Sequence, residues 1–423
     1  MHRAILNILY RQHEGINSAV SPLFWGEKVV IKPEKEKGLD NLAQKLREDW
    51  WNSKELDEIV QSARLAGMLH DIGHAPFSHL FEDICKQCEI ELEFKGKKYL
   101  FDHEVMSRKI ILEKTEKLDL KKPFTAEHIN EILDPDGKAP PFLKELINSG
   151  YDCDKLDYLV RDAVTTGAVE FGRIDCERIL NGFRVKDENI CISSSALDAL
   201  VESFDAVQYM YTSVYYHKTA RIFDFMIKEA LSRMPEFLSE MVEDVDRFLQ
   251  YDDYNFIIKA TKYLEPLNTK ESKEALELLN DFFSRKKKYR EIFCRRISVR
   301  YPEEDTLDKY LQKVEKSLTS AVESLEIVVD YRPQIKPIGV ELRQIPEWLL
   351  QDRIYESTGE VSPLKKFSRA YHEKLTKYTI LFRMFANRQQ LKEDPTNINN
   401  NDAKKIIKQA GEEIDAIEKK LEM

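Results

Sequence analysis

Cysteine is scarce in this 423-residue chain: there are six, and only Cys85 and Cys88 lie close together, as an isolated C-x-x-C without a second pair. That excludes a disulfide framework or a paired-cysteine metal site and fits free thiols in a reducing compartment. The N-terminal apolar run, Ala4 to Tyr10, is short, is interrupted by Asn7 and lacks a small-residue cleavage pattern. It reads as neither signal peptide nor membrane span, so a cytoplasmic protein without membrane contact is expected. Glycine is low, at 14 residues, while 42% of residues are apolar, so the chain can bury a large core. A surplus of positive charge is also missing. Lys and Arg number 65 against 75 Asp and Glu, a net charge of −10, which argues against a surface that embraces nucleic acid along its whole extent. Long amphipathic stretches outnumber alternating ones, and no internal repeat is visible. A mainly α fold is expected, with one strand signal at Phe183 to Ser193 that reads as a small β-hairpin on the surface.

What the chain does have is Leu65-Ala-Gly-Met-Leu-His-Asp-Ile-Gly-His-Ala-Pro-Phe-Ser-His79, three histidines and an aspartate within ten residues. Ile59, Ala63, Ala66 and His70 recur at helical spacing, which places His70 on a core-facing stripe. A buried imidazole beside the Asp71 carboxylate is costly unless a cation satisfies both, and a metal ion is the simplest one. The helix should end near Gly73 to Pro76, and a second helix, Ser78 to Ile84, should start with Pro76 in its first turn. That bend aims His74 and His79 at one cleft, where the helix N-terminus also favours an anion such as phosphate.

A second block, Tyr151-Asp-Cys-Asp154-Lys155-Leu-Asp157-Tyr158-Leu-Val-Arg161-Asp162, is amphipathic. Asp154, Asp157, Tyr158, Arg161 and Asp162 make one charged face, and Leu156, Leu159, Val160 and Ala163 make the packing face. Asp152 and Asp154 also read as first-turn acids that cap the helix; against this, His70 and Asp71 need a distant carboxylate to complete a site.

The two blocks together resemble the signature of the HD-domain phosphohydrolases, most closely the branch of deoxynucleoside triphosphate triphosphohydrolases that holds dGTPases and the SAM-and-HD-domain dNTPases. The resemblance implies an HD-domain helical core over 1–246, N-terminally incomplete, and a C-terminal helical lobe over 247–423. It implies one divalent ion held by His70, Asp71 and Asp154, with Mn, Fe, Mg, Zn and Ni all compatible with such mixed donors. By the same resemblance His74 and His103 act near the scissile phosphate, oriented by Glu82. His79 and Lys155 hold phosphates, and Tyr158 and Asp162 read the sugar. A third block, Tyr209-Met-Tyr211-Thr-Ser-Val-Tyr215-Tyr-His217-Lys218-Thr-Ala-Arg221, is similar to the family helix whose aromatic side chains border the nucleobase. Tyr211 and Tyr215 stand one turn apart and can share a pocket wall, or can pack in the core. In the family the basic end of this helix, here His217, Lys218 and Arg221, touches a regulatory nucleotide; Val207 stands where many members carry an arginine.

The family's Arg-x-x-His-Ser-x-Gly segment, which bears the first metal histidine, precedes a helix that Met1 to Leu9 resembles. His2 falls about six residues too late, on another helix face, and His13 lies farther on. Either a natural N-terminal portion brings that ligand, the favoured expectation, or three ligands make a site open to extra water. As it stands, the chain is expected to bind metal weakly.

From Arg247 onward the pattern is charged and helical. Ile407, Ala410, Ile414, Ile417 and Leu421 form a seam read first as intramolecular docking and otherwise as a subunit contact. Arg285 to Arg300 concentrates eight basic residues against Glu291 alone. It reads as a solvated helix face or, more sharply, as an anion site at Lys286, Lys287 and Lys288 for a regulatory nucleotide or single-stranded nucleic acid. The leading expectation is hydrolysis of a dNTP to deoxynucleoside and tripolyphosphate. The alternatives are an HD phosphohydrolase acting on another nucleotide, and a non-catalytic regulator that binds nucleotide or single strands. Related enzymes are commonly oligomeric, so a homo-oligomer is implied.

Overall fold

The computed structural model describes residues 56–114, 125–149, 152–186, 188–300, 304–321, 324–331, 352–356, 361–375, 377–391 and 400–421. The stretch Met1 to Leu9, His2, His13, Tyr151 and residues 332–346 lie outside them. In chain order the main elements are α1 (Leu56–Leu69), α2 (His79–Gln87), β1 (Glu91–Phe94), β2 (Lys97–Leu100), α3 (His103–Lys114), α4 (Cys153–Thr166), β3 (Phe183–Lys186), β4 (Asn189–Ser193), α5 (Lys218–Leu231), α6 (Asp253–Leu264), α7 (Lys270–Phe283), β5 (Tyr289–Arg300), α8 (Glu304–Ser320), β6 (Ile327–Asp330), β7 (Asp352–Tyr355), β8 (Val361–Pro363), β9 (Lys377–Asn387) and α9 (Asn401–Leu421). Helix dominates, as expected, and among the described residues the strands form three small sheets. All six cysteines are free thiols.

Two compact units divide the chain: 1–72, 107–206 and 347–372 form the first, and 73–106, 207–346 and 373–423 the second. In the first unit, α1 buries Ile59, Ala63 and Ala66 against the helix Ala126–Leu133, the stripe its periodicity predicts. The helix α4 begins on Asp152, whose side chain accepts from the Lys155 amide, and ends on Gly167 at φ 77°. Leu156, Leu159 and Ala163 are its buried face. Gly172 packs so closely there that a Cβ at its position would overlap the Ala163 methyl. The expected hairpin forms, with Phe183 opposite Ile192 and Lys186 opposite Asn189. It is more than a surface hairpin, because β4 pairs in parallel with β7 and the order β3-β4-β7-β8 makes a sheet that buries Phe183 and Ile192.

The second unit holds the β1-β2 hairpin, α2, α5 to α9 and a three-stranded sheet, β5-β9-β6. Residues 289–300, read from sequence as a solvated helix face, are a strand: β5 pairs antiparallel with β9 along its length, with one bulge between Glu291 and Phe293. The central strand β9 buries Ile380 to Ala386 without a break, since both its faces are covered. Ile380, Phe382, Met384 and Ala386 join a core with α8 and α9, and Phe385 meets Phe225 of α5 at a ring separation of 5.4 Å. The seam on α9 docks within the chain, burying Ala403, Ile406, Ala410, Ile414 and Ile417, with Ile407 at its margin.

Candidate functional site

α1 stops at Leu69, earlier than expected, and His70 opens the turn that follows. Its Nδ1 lies 2.9 Å from the Gly67 carbonyl, a bond that places the ring proton on Nδ1 and leaves Nε2 to face the carboxylates. Nε2 is 3.2 Å from Asp71 Oδ1 and 3.8 Å from Asp154 Oδ1, on the first turn of α4. One donor atom from each of the three residues lies within 4.8 Å of the others. Burial disfavours the His70 imidazolium, but the neighbouring carboxylates of Asp154 and Asp71 outweigh it and push the group up to about 9. Burial likewise opposes ionisation of Asp154, and the neighbouring His70 imidazolium outweighs it, so that carboxyl is held below its usual range. Two anions and an imidazole lone pair converging on one point repel unless a positive charge stands among them. In the protein alone that charge is a proton on His70. The same donors, two hard oxygens and one fixed nitrogen, suit a divalent cation.

A second constellation belongs to the second unit. Glu82, 6% exposed, accepts at Oε1 from the His103 amide (2.8 Å) and Nδ1 (2.7 Å), and at Oε2 from His79 Nδ1 (3.0 Å). Burial alone would raise Glu82, but these bonds hold it well below the usual carboxylate range. Burial alone would lower His103, but the Glu82 bond and charge raise it. His74 stacks on His103 with centroids 3.9 Å apart and planes 9° from parallel, and His79 meets both rings edge-on. A metal lies in the plane of each imidazole that binds it. Two stacked, nearly parallel rings cannot both point a lone pair at one ion, so the stacking of His74 on His103 does not favour these three as a ligand set, although their nitrogens lie close together.

The bend between His74 and His79 differs from the expected one. Pro76 does not open a helix; it sits in a turn closed by Ser78 N–H on Ala75 O (2.9 Å), with Phe77 at φ 66° and Ser78 at φ 53°. Two successive non-glycine residues in this region cost about 1–3 kcal/mol each, so surrounding contacts must hold them. The Ser78 hydroxyl lies 3.2 Å from His74 Nδ1, the Phe77 amide donates to Asp253 Oδ1 at 2.9 Å, and the Phe77 ring packs edge-on against Phe256 and Phe282. Sequence reasoning missed Gly67, Ser78 and Asp253 as partners. Gly67 and Ser78 stand inside the quoted motif, but nothing in the sequence marks Asp253.

The other expected residues are placed as follows. Lys155 points inward: its ammonium donates to Asp152 Oδ2 (2.5 Å) and Ser149 O (3.1 Å), so a phosphate reaches it only by displacing a buried pair. Tyr158 and Asp162 lie half-buried on α4. Tyr211 and Tyr215 stand on a π-helical turn with ring centroids 5.0 Å apart. His217 caps α5 by accepting from the Thr219 amide, and Lys218 lies 3.6 Å from Glu291. Arg221 grips Asp330 through two nitrogens and Asp224 through a third. Lys286 lies 3.6 Å from Asp281, Lys287 donates to Thr219, and Lys288 bridges Glu229 and Glu326 at 2.8 Å each. These cations, which look like a surplus in the sequence, thus have partners within the unit.

A family model of the HD domain matches residues 39–161, the span that holds His70, Asp71 and Asp154, and one of the HD-associated region matches 174–339. The chain belongs to the HD-domain phosphohydrolase superfamily. HD domains bind divalent metals, and His70, Asp71 and Asp154 form a group in this one that could hold such an ion. The HD-domain chain is 32% identical over 193 residues to the uncharacterized protein YwfO of Bacillus subtilis, covering 45% of this chain and 40% of that protein. It is 31% identical over 203 residues to the deoxynucleoside triphosphate triphosphohydrolase SAMHD1 homolog of Dictyostelium discoideum, covering 45% of this chain and 37% of that one. It therefore spans less than half the length of these curated relatives. A crystal structure of a phosphohydrolase from Bacteroides thetaiotaomicron shares the fold, with a TM-score of 0.52 at 19% identity over 82% of this chain and 83% of that one. No helix among the described residues is long and apolar enough to cross a membrane.

Proposed function

We propose that this chain is a metal-dependent hydrolase that cleaves deoxynucleoside triphosphates at the alpha phosphate, releasing deoxynucleoside and tripolyphosphate. The observation that carries the reading is the His70 imidazole, tied to the Gly67 carbonyl and turned toward Asp71 and Asp154, an arrangement whose charge balance calls for a cation. His70, Asp71 and Asp154 would hold one divalent ion. When bound, such an ion polarises a phosphate oxygen and lowers the pKa of a water. The chain's own side chains handle the proton. As the water oxygen bonds to the alpha phosphorus it gives up one proton to solvent, the bond to the 5′ oxygen breaks, and that 5′ oxygen takes a proton. His103, whose charged form Glu82 favours, is suited to supply it, with His74 stacked against it. By resemblance to the triphosphohydrolases, Tyr211 and Tyr215 border the base, Tyr158 and Asp162 read the sugar, and His79 and Lys155 meet phosphates, Lys155 after leaving Asp152. The carboxylate partners of Arg221, Lys286 and Lys288 weigh against a regulator that binds single strands, which needs such charge unspent.

The test is chromatography of products after incubating the chain with each of the four dNTPs and manganese, with the Asp71→Ala and Asp154→Ala variants alongside and bound metal measured by emission spectrometry. Deoxynucleoside plus tripolyphosphate from the wild type, with metal and product both lost in the folded variants, is the expected result. Hydrolysis that survives in a folded Asp71→Ala protein would overturn the metal mechanism, and failure with all four dNTPs would overturn the substrate.

A further inference from the structure

The turn between His74 and His79 is held from a place the sequence does not advertise. Asp253 is the first residue of α6, where an acidic side chain would ordinarily serve the helix end. That task is already done by Asp252, which accepts from the Tyr254 and Asn255 amides while Asn255 bonds back to the Asp252 amide. The Asp253 carboxylate instead accepts the Phe77 amide, 176 positions away in sequence. One turn farther along α6, fully buried Phe256 packs against the Phe77 ring, and Phe282 of α7 packs on it as well. Phe77 is thus gripped at its amide and at its ring, with its backbone at φ 66°. A bulky side chain takes that conformation only when its surroundings impose it. Its neighbours in the chain are the groups that matter. Ser78 bonds His74, and α2 starts directly afterwards with His79 and carries Glu82, which in turn holds His103.

We infer that Asp253 is a positioning residue: by holding the Phe77 amide it locks the Ala75–Ser78 turn and so sets how His74 and His79 stand against His103 and Glu82. Its effect on turnover rests on the hydrolase reading proposed above, whereas its effect on the imidazoles does not depend on that reading. Asp253→Asn keeps an oxygen acceptor at the same reach, and Asp253→Ala removes it.

The experiment compares the wild-type chain, Asp253→Asn and Asp253→Ala, each labelled with 13C at histidine Cε1 and observed by NMR, the signals being assigned through single His→Gln variants. The signals of His74, His79 and His103 should move in Asp253→Ala and stay at their wild-type positions in Asp253→Asn. With dNTP substrate, kcat should fall about five- to ten-fold in Asp253→Ala with KM little changed, as for a small misplacement of reacting groups, and Asp253→Asn should recover it. Unmoved imidazole signals in a folded Asp253→Ala protein would overturn the inference, as would an Asp253→Asn variant that behaves like alanine. If the wild type turns over no dNTP, the hydrolase reading fails and the NMR comparison alone decides the positioning role. If Asp253→Ala does not fold, Asp253→Ser, too short to reach the amide, replaces it in every comparison.

Discussion

Glu82→Ala removes a carboxylate that is nearly inaccessible to water and accepts three hydrogen bonds, two of them from His103. Hydrogen bonds to a charged group are worth about 1.5–3 kcal/mol each. The bond from His79 counts for little, because that side chain is 70% exposed and solvent takes over its role. The two His103 bonds remain, and their loss leaves a protonated imidazole at 14% exposure without its counter-charge. The expected loss is about 3–5 kcal/mol, the range for breaking a buried pair by removing one partner. Its pH dependence has a fixed sign. His103 is raised in the folded protein, so its contribution is complete below the ordinary histidine value near 6.5 and fades as pH rises through the raised one. Glu82 is lowered, so its contribution is complete above the ordinary carboxylate value near 4.5 and fades as pH falls through the lowered one. The pair therefore stabilises most around pH 5–6.5. Urea unfolding followed by circular dichroism, at pH 6 and in steps toward pH 10, should show the largest difference between wild type and variant at pH 6 and a shrinking one above. A loss under about 1 kcal/mol at pH 6, or one that does not change with pH, would refute the ion-pair account.

Two further substitutions test the scaffold around the candidate residues. Gly172→Ala forces a methyl onto Ala163 of α4, the helix that carries Asp154, and should cost about 1–3 kcal/mol; an unchanged urea midpoint would mean that the turn Val169–Gly172 relaxes freely. Arg221→Ala strands Asp330, 4% exposed, together with Asp224, and should cost about 3–5 kcal/mol at pH 7. Because burial raises both carboxyls, the penalty should ease as pH falls and they take up protons. Arg221→Lys should recover only part of it, since one ammonium cannot reproduce the two-pronged grip on Asp330, and full recovery by lysine would show that charge alone suffices.

Much of the helical frame was legible because apolar residues at a stride of three or four announce a buried helix face: Ile59, Ala63 and Ala66 on α1, Leu156, Leu159 and Ala163 on α4, and Ala410, Ile414 and Ile417 on α9. The hairpin of β3 and β4 was legible from its alternation. β5 was not, because a bulge between Glu291 and Phe293 and the adjacent Arg295 and Arg296, which point to opposite faces, break the polar-apolar alternation that marks a strand. β9 was hidden for the opposite reason. A strand covered on both faces is a plain apolar run and carries no period to read.

By itself the sequence determined what local spacing can determine. It placed His70, Asp71, His74 and His79 around one bend and Asp154 on the first turn of an amphipathic helix, and its motifs carried the resemblance to the HD domains. Two long-range pairings, Asp154 with His70 and Glu82 with His103, were implied by that resemblance, whereas the others were decided only by tertiary structure. Folding ties Phe77 to Asp253 and matches Arg221 and Lys288 with acids far along the chain. The reason is physical. A helix period is set by bonds between neighbours, whereas the charge state of an imidazole or the reach of a lysine depends on which groups the packed core brings within a few ångströms, and no spacing along the chain encodes that distance.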